Sequence, residues 1–147
     1  MNQAPMRMRE MKILRIVAHA FIPFILLFGL YVQFHGDYGP GGGFQAGVIF
    51  AAGFMLYGII FGVETLEKVL PWSVIERGLA AGLLLYGLVG VENMIMGGSF
   101  LDYRVLDGED PKHGLHLGIL IVELGVGITV TMAILAVFYA FGGRKRN

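Results

Sequence analysis

The chain has 147 residues, of which 56% are hydrophobic and only 15% charged, whereas soluble domains carry about 25% charged residues; its mean hydropathy is +0.69, which excludes an ordinary water-soluble domain. Eleven basic and eleven acidic residues cancel to zero net charge, leaving no electrostatic footprint for nucleic acid. The lack of cysteine excludes disulfides, thiolate nucleophiles and sulfur-based zinc sites.

The N-terminal segment carries Arg7, Arg9, Lys12 and Arg15 and leads into an apolar run from Ile13 to Phe34. A basic start before an apolar run also describes a signal peptide, but this run is about twenty residues long, enough to cross a bilayer, and no A-x-A cleavage site stands near its end. A retained membrane helix is expected. His19 lies one helical turn from Arg15 on the same face; histidine titrates near neutral pH and can relay protons, the alternative being a hydrogen-bonded packing residue. The run closes on His35-Gly36-Asp37-Tyr38-Gly39-Pro40-Gly41-Gly42-Gly43.

The second run, Phe44 to Val63, contains no charge. A polar stretch from Glu64 to Arg77 follows, with Trp72 suited to a membrane interface. The third run spans Gly78 to Met96, an acidic loop Gly97 to Gly114, and the fourth run Leu115 to Phe141, ahead of Arg144, Lys145 and Arg146. The expected fold class is all-α: one integral membrane domain over residues 1–147, with four transmembrane helices near 13–34, 44–63, 78–96 and 115–141 and a Gly-rich outer loop between the first two. With four spans, Arg7, Arg9, Lys12, Arg15, Lys68, Arg77, Arg144, Lys145 and Arg146 share one side, and only Arg104 and Lys112 take the other. Basic loops stay in the cytoplasm, so both termini of this multi-pass chain are expected on the cytoplasmic side of the cell membrane.

Glycine accounts for 23 residues, about twice the usual share. Small residues four apart let helices approach closely, and the spacing occurs at Gly43/Gly47, Gly58/Gly62, Gly78/Gly82 and Gly114/Gly118. Packing within the chain and packing on partner subunits are both open readings.

Glu123 lies eight residues into the fourth run, roughly 12 Å deep. Ionisable groups at such depth are costly and normally mark an ion or proton path; a protonated Glu bonded to a neighbouring helix is the plainer alternative. Glu92 lies about one turn from the end of the third run, where it could equally reach the surface. If the third and fourth helices are neighbours, Glu92 and Glu123 could hand a proton or Na⁺ inward, each raising the other's pKa. His113 and His116 lack a third ligand, and no metal is expected.

The stretch from Gly39 to Gly47 is not a phosphate loop, since Gly-Lys-Ser/Thr is missing. Nor is it a dinucleotide fingerprint, because a membrane helix rather than a strand precedes it. Its bare backbone can approach another helix or line a small aqueous entrance, with Gln45 as a polar wall. No nucleophile with a base partner, metalloprotease helix or haem ligand pair appears, so no catalysis and no cofactor are expected.

His35, Pro40-Gly41-Gly42-Gly43-Phe44 and Gly47, set between two membrane helices, resemble the MnhB/MrpB family of the multisubunit Mrp/Mnh-type Na⁺/H⁺ antiporters, which is related to respiratory complex I and membrane-bound hydrogenases. The resemblance covers the whole chain, departing in Gly36-Asp37-Tyr38-Gly39 before Pro40 and in Ala46 before Gly47. It implies a subunit that does not transport alone but assembles with other membrane subunits in the lipid bilayer, the assembly exchanging Na⁺ for H⁺. It also implies that the glycine loop and Phe44 shape subunit contacts or an ion entrance, with Glu123, Glu92 and His19 as candidate proton or cation sites. The rival readings are a membrane-arm subunit of a hydrogenase-like or complex I-like oxidoreductase, and a stand-alone homo-oligomeric channel.

Overall fold

In hydrocarbon every backbone N–H and C=O must be satisfied within the segment, which makes a helix of each long apolar run. The computed structural model describes residues 12–36, 39–108 and 110–142 and follows this rule. Helices α1 (Lys12–His35) and α2 (Gly43–Phe61) are joined by the glycine turn; a short α3 (Val63–Val69) leads to α4 (Trp72–Ile95), and a 3₁₀ turn (Tyr103–Leu106) precedes α5 (Pro111–Gly142). α1, α2, α4 and α5 are long and apolar enough to cross a membrane.

Two boundaries differ from the sequence expectation. Most of the polar stretch from Glu64 to Arg77 is helical: α3 turns Leu66 into the core, and α4 starts at Trp72. Hydropathy registers charge rather than helicity, and here charged residues occupy the outward faces of real helices. The Trp72 indole N–H donates to Glu76 Oε1 at 2.6 Å across one turn. α5 likewise begins ahead of Leu115, at Pro111, which suits a first helical position. There the Asp110 carboxylate accepts the Lys112 backbone N–H at 3.0 Å, an N-cap contact.

The helices pack in the order α1–α2–α5–α4, with α5 between α2 and α4. The third and fourth spans are therefore neighbours, as their hairpin connection implied. α1 and α4 stand at the two ends of the row, and α1 buries little of itself. Large side chains such as Phe24, Leu27, Leu83 and Leu88 remain exposed, as expected where lipid or other subunits are the solvent. Leu66, Ile75, Leu135 and Tyr139 form a core cluster at the end away from the glycine turn, where the Tyr139 O–H donates to the Leu70 carbonyl at 2.8 Å.

The paired glycines serve contacts inside the chain. A Cβ on Gly82 would lie 2.6 Å from the Gly125 carbonyl, and one on Gly47 2.7 Å from that of Gly127. Gly58 and Gly78 face Phe138 and Met132, and Gly114 and Gly118 seat Tyr103; Gly62 lies beyond α2. Arg7, Arg9, Arg144, Lys145 and Arg146, on which much of the expected orientation rests, lie outside the described residues.

Candidate functional site

Where α1 ends, the Gly42 N–H donates to the Val32 carbonyl at 3.2 Å, turning the chain back so that α2 starts at Gly43. Gly42 has φ +117°, a conformation that only glycine takes without strain. The Gly39 N–H donates to the His35 carbonyl at 3.1 Å, and the His35 ring stacks on Tyr31 with centroids 5.1 Å apart. Pro40, Phe44 and Gln45 are exposed.

Glu123 of α5 lies directly against this turn. A Cβ on Gly36 would stand 2.7 Å from Glu123 Oε2, and one on Gly42 2.8 Å from Oε1. A Cβ on Gly43 would collide with the Glu123 backbone carbonyl. The most distinctive loop and the most informative acid in the sequence thus form one place, in which missing side chains leave the room that the carboxylate fills.

A cavity of about 330 Å³ opens beside it, with Gln33, Phe34, His113, His116, Leu117 and Glu123 among its walls. A second, of about 350 Å³, continues along α5 between Leu30, Phe50, Phe54, Leu124, Ile128 and Met132, again with Gln33 and Phe34 in the wall. At the mouth, His113 Nδ1 lies 2.8 Å from Asp107 Oδ2 in an exposed pair. Burial, and secondarily Tyr86, push the Tyr103 hydroxyl above its ordinary pKa, so it stays neutral beside α5.

Glu92 and His19 stand apart from this site. Gly125 packs against Gly82 and Tyr86, which puts Glu123 roughly level with Tyr86. Glu92 then lies about 9 Å nearer the end of α4 at 1.5 Å per residue, and it is exposed. The two carboxylates are not brought together. His19 is exposed near the opposite end of α1, edge-on to Phe61 at 6.1 Å, with the Arg15 guanidinium 5.3 Å above the same ring. Among the described residues no three His, Asp or Glu side chains cluster as metal ligands.

Sequence reasoning missed Gln33 and Thr131. Gln33 is 6% exposed, and its Oε1 lies 2.6 Å from where a Cβ on Gly127 would stand. The Thr131 hydroxyl, also buried, lies 2.7 Å from the Gly127 carbonyl and 3.1 Å from that of Gly47. The available signal was an uncharged polar residue inside an apolar run.

Residues 13–136 match the family model described as a domain related to the MnhB subunit of Na⁺/H⁺ antiporter. The chain is similar to a protein named antiporter subunit mnhB2 from Staphylococcus haemolyticus (strain JCSC1435), 33% identical over 90% of this chain and 95% of that one. A Staphylococcus aureus (strain Newman) protein of the same name is 31% identical over the same shares. With the family model spanning nearly all of the four-helix region, the chain belongs to the MnhB family.

Proposed function

We propose that this chain is a membrane subunit of a multisubunit Na⁺/H⁺ antiporter complex and that Glu123 exchanges protons and monovalent cations beneath the glycine turn. The observation that carries the reading is the fit of both Glu123 oxygens into space that side chains on Gly36 and Gly42 would fill. A carboxylate at membrane depth is retained at a cost and normally faces water or protein; here a cavity reaches it. Carboxylate oxygens suit either a proton or a hard cation, so competition for one site gives a simple basis for exchange.

In this reading the glycine turn faces outward and both termini lie in the cytoplasm of a cell whose membrane holds the complex. Gln45, exposed on the first turn of α2, borders the entrance; Pro40 and Phe44, also exposed, are offered to neighbouring subunits. Glu92 and His19 serve at the surface rather than in the Glu123 site, and the chain performs no covalent chemistry of its own. The membrane-arm oxidoreductase reading is not favoured, because the relatives carry the name of antiporter subunits and none of them that of an oxidoreductase.

The test is Glu123→Gln in the assembled complex, assayed for Na⁺/H⁺ exchange in everted membrane vesicles. Exchange should fall by about 100-fold, the lower range for a positioned proton-transfer group, with complex yield unchanged. Normal exchange would reduce Glu123 to packing and overturn the proposal.

A further inference from the structure

The cleft between α1 and α5 holds a polar group that the Glu123 site leaves unused. Gln33 is more than nine-tenths buried, and its amide nitrogen has no hydrogen-bond partner among the described residues. Leaving such a donor unsatisfied costs about 1–3 kcal/mol, so the fold calls for a partner that the described residues do not supply.

Position narrows the partner. Among the described residues Gln33 and Phe34 alone line both cavities, so Gln33 stands on the boundary between them. It meets α5 at Gly127, four residues and about 6 Å beyond Glu123. On the Glu123 side the walls include His113 and His116. On the far side they are Leu30, Phe50, Phe54, Leu124, Ile128 and Met132, and the one hydroxyl there, Thr131, is committed to backbone carbonyls. Each cavity far exceeds the roughly 30 Å³ a water occupies, but water also needs two to four polar partners, and apolar cavities stay dry.

The chemistry of the orphan decides the ligand. The orphaned NH₂ offers only donors, so its partner is an acceptor oxygen and not a cation; in a cavity of this size water supplies that oxygen.

We propose that Gln33 is a hydration site: its amide holds water at the floor of the Glu123 cavity and marks the boundary between a wet compartment and a dry one. Cations go no further than this wet compartment, because beyond Gln33 the walls are hydrocarbon. The hydration stands on the geometry of Gln33 alone; its bearing on exchange rests on the Glu123 reading.

The natural absence of cysteine makes the test direct. Gln33→Cys and Ile128→Cys are placed singly in the assembled complex, purified in mild detergent and treated with a small water-soluble methanethiosulfonate. A thiol reacts as thiolate, which forms in contact with water and not in apolar surroundings, so Gln33→Cys should label about tenfold faster or more. Equal rates, or no labelling of Gln33→Cys, overturn the proposal. In parallel, Gln33→Leu removes the donor at similar volume and should lower exchange without loss of complex, while Gln33→Asn, which keeps an amide, should restore most of it. Loss with both variants, or with neither, overturns the role in exchange. Normal exchange in Glu123→Gln combined with fast labelling of Gln33→Cys would remove the proposed function and leave the hydration site standing.

Discussion

Glu123 depends on glycines for a steric reason that differs from one glycine to the next. At Gly36 an added Cβ meets the carboxylate, a flexible side-chain end, and the Gly42 Cα of the same turn, each at 2.7 Å; at Gly43 it meets the Glu123 backbone carbonyl and a Cα at 3.0 Å, helix backbone across the α2–α5 contact that cannot swing aside. Gly43→Ala should therefore force α2 away from α5 and reduce the yield of assembled complex. Gly36→Ala, whose backbone clash lies within the turn rather than between helices, should reduce yield less and depress exchange by displacing the carboxylate. Blue-native gels and vesicle assays on the two variants check the ranking, and equal yields would contradict it. The sequence displays both halves of this site, since a Pro-Gly-Gly-Gly-Phe run and a charge inside an apolar helix each stand out locally. Their meeting is not legible, because it is made by packing elements about eighty residues apart. Gln33 was missed for another reason: as the next-to-last residue of an apolar run, an amide reads as the start of the loop.

Between α4 and α5 the contact is backbone on backbone. Gly82 and Gly125 each approach the other's carbonyl, at 2.6 and 2.9 Å from the added Cβ, whereas a Cβ on Gly87 of the same helix meets nothing within 4 Å. Gly82→Ala should then lower the thermal midpoint of the detergent-purified complex, with overpacking of about 1–3 kcal/mol. Gly87→Ala should leave it unchanged or raise it slightly, since alanine favours the helix by up to about 1 kcal/mol. Equal shifts in differential scanning fluorimetry would argue against this seam. The spacing of small residues announced close helix packing, but not its destination; glycine pairs look the same whether they meet their own chain or another. α3 escaped notice because a seven-residue helix with Glu64, Glu67 and Lys68 carries too little apolar length for a hydropathy window, although Leu66 is its buried anchor.

Chain order alone would set α4 beside α2, the helix it follows through α3, yet α5 lies between them. The insertion is written in α5 itself. Gly125 and Gly127 lie two residues apart, about 200° around the helix, so they open opposite sides: Gly125 toward Gly82 of α4, and Gly127 toward Gln33 and the Gly43 carbonyl. A helix with a small residue on each side can be flanked closely by two others, and this places Glu123 on the α1–α2 side, away from Glu92. Paired cysteines in the otherwise cysteine-free chain test the order. A disulfide needs Cβ atoms about 3.5–4.5 Å apart, a separation consistent with the contact of Gly53 with Leu26 across α1–α2 and of Gly78 with Met132 across α4–α5. Gly53→Cys with Leu26→Cys, and Gly78→Cys with Met132→Cys, should become protected from alkylation under mild oxidation. Leu27→Cys with Leu84→Cys, on the two end helices, should stay fully alkylated. Protection of that last pair within one chain would close the row into a bundle, bring α4 against α1, and leave no open cleft through which water could reach Gln33.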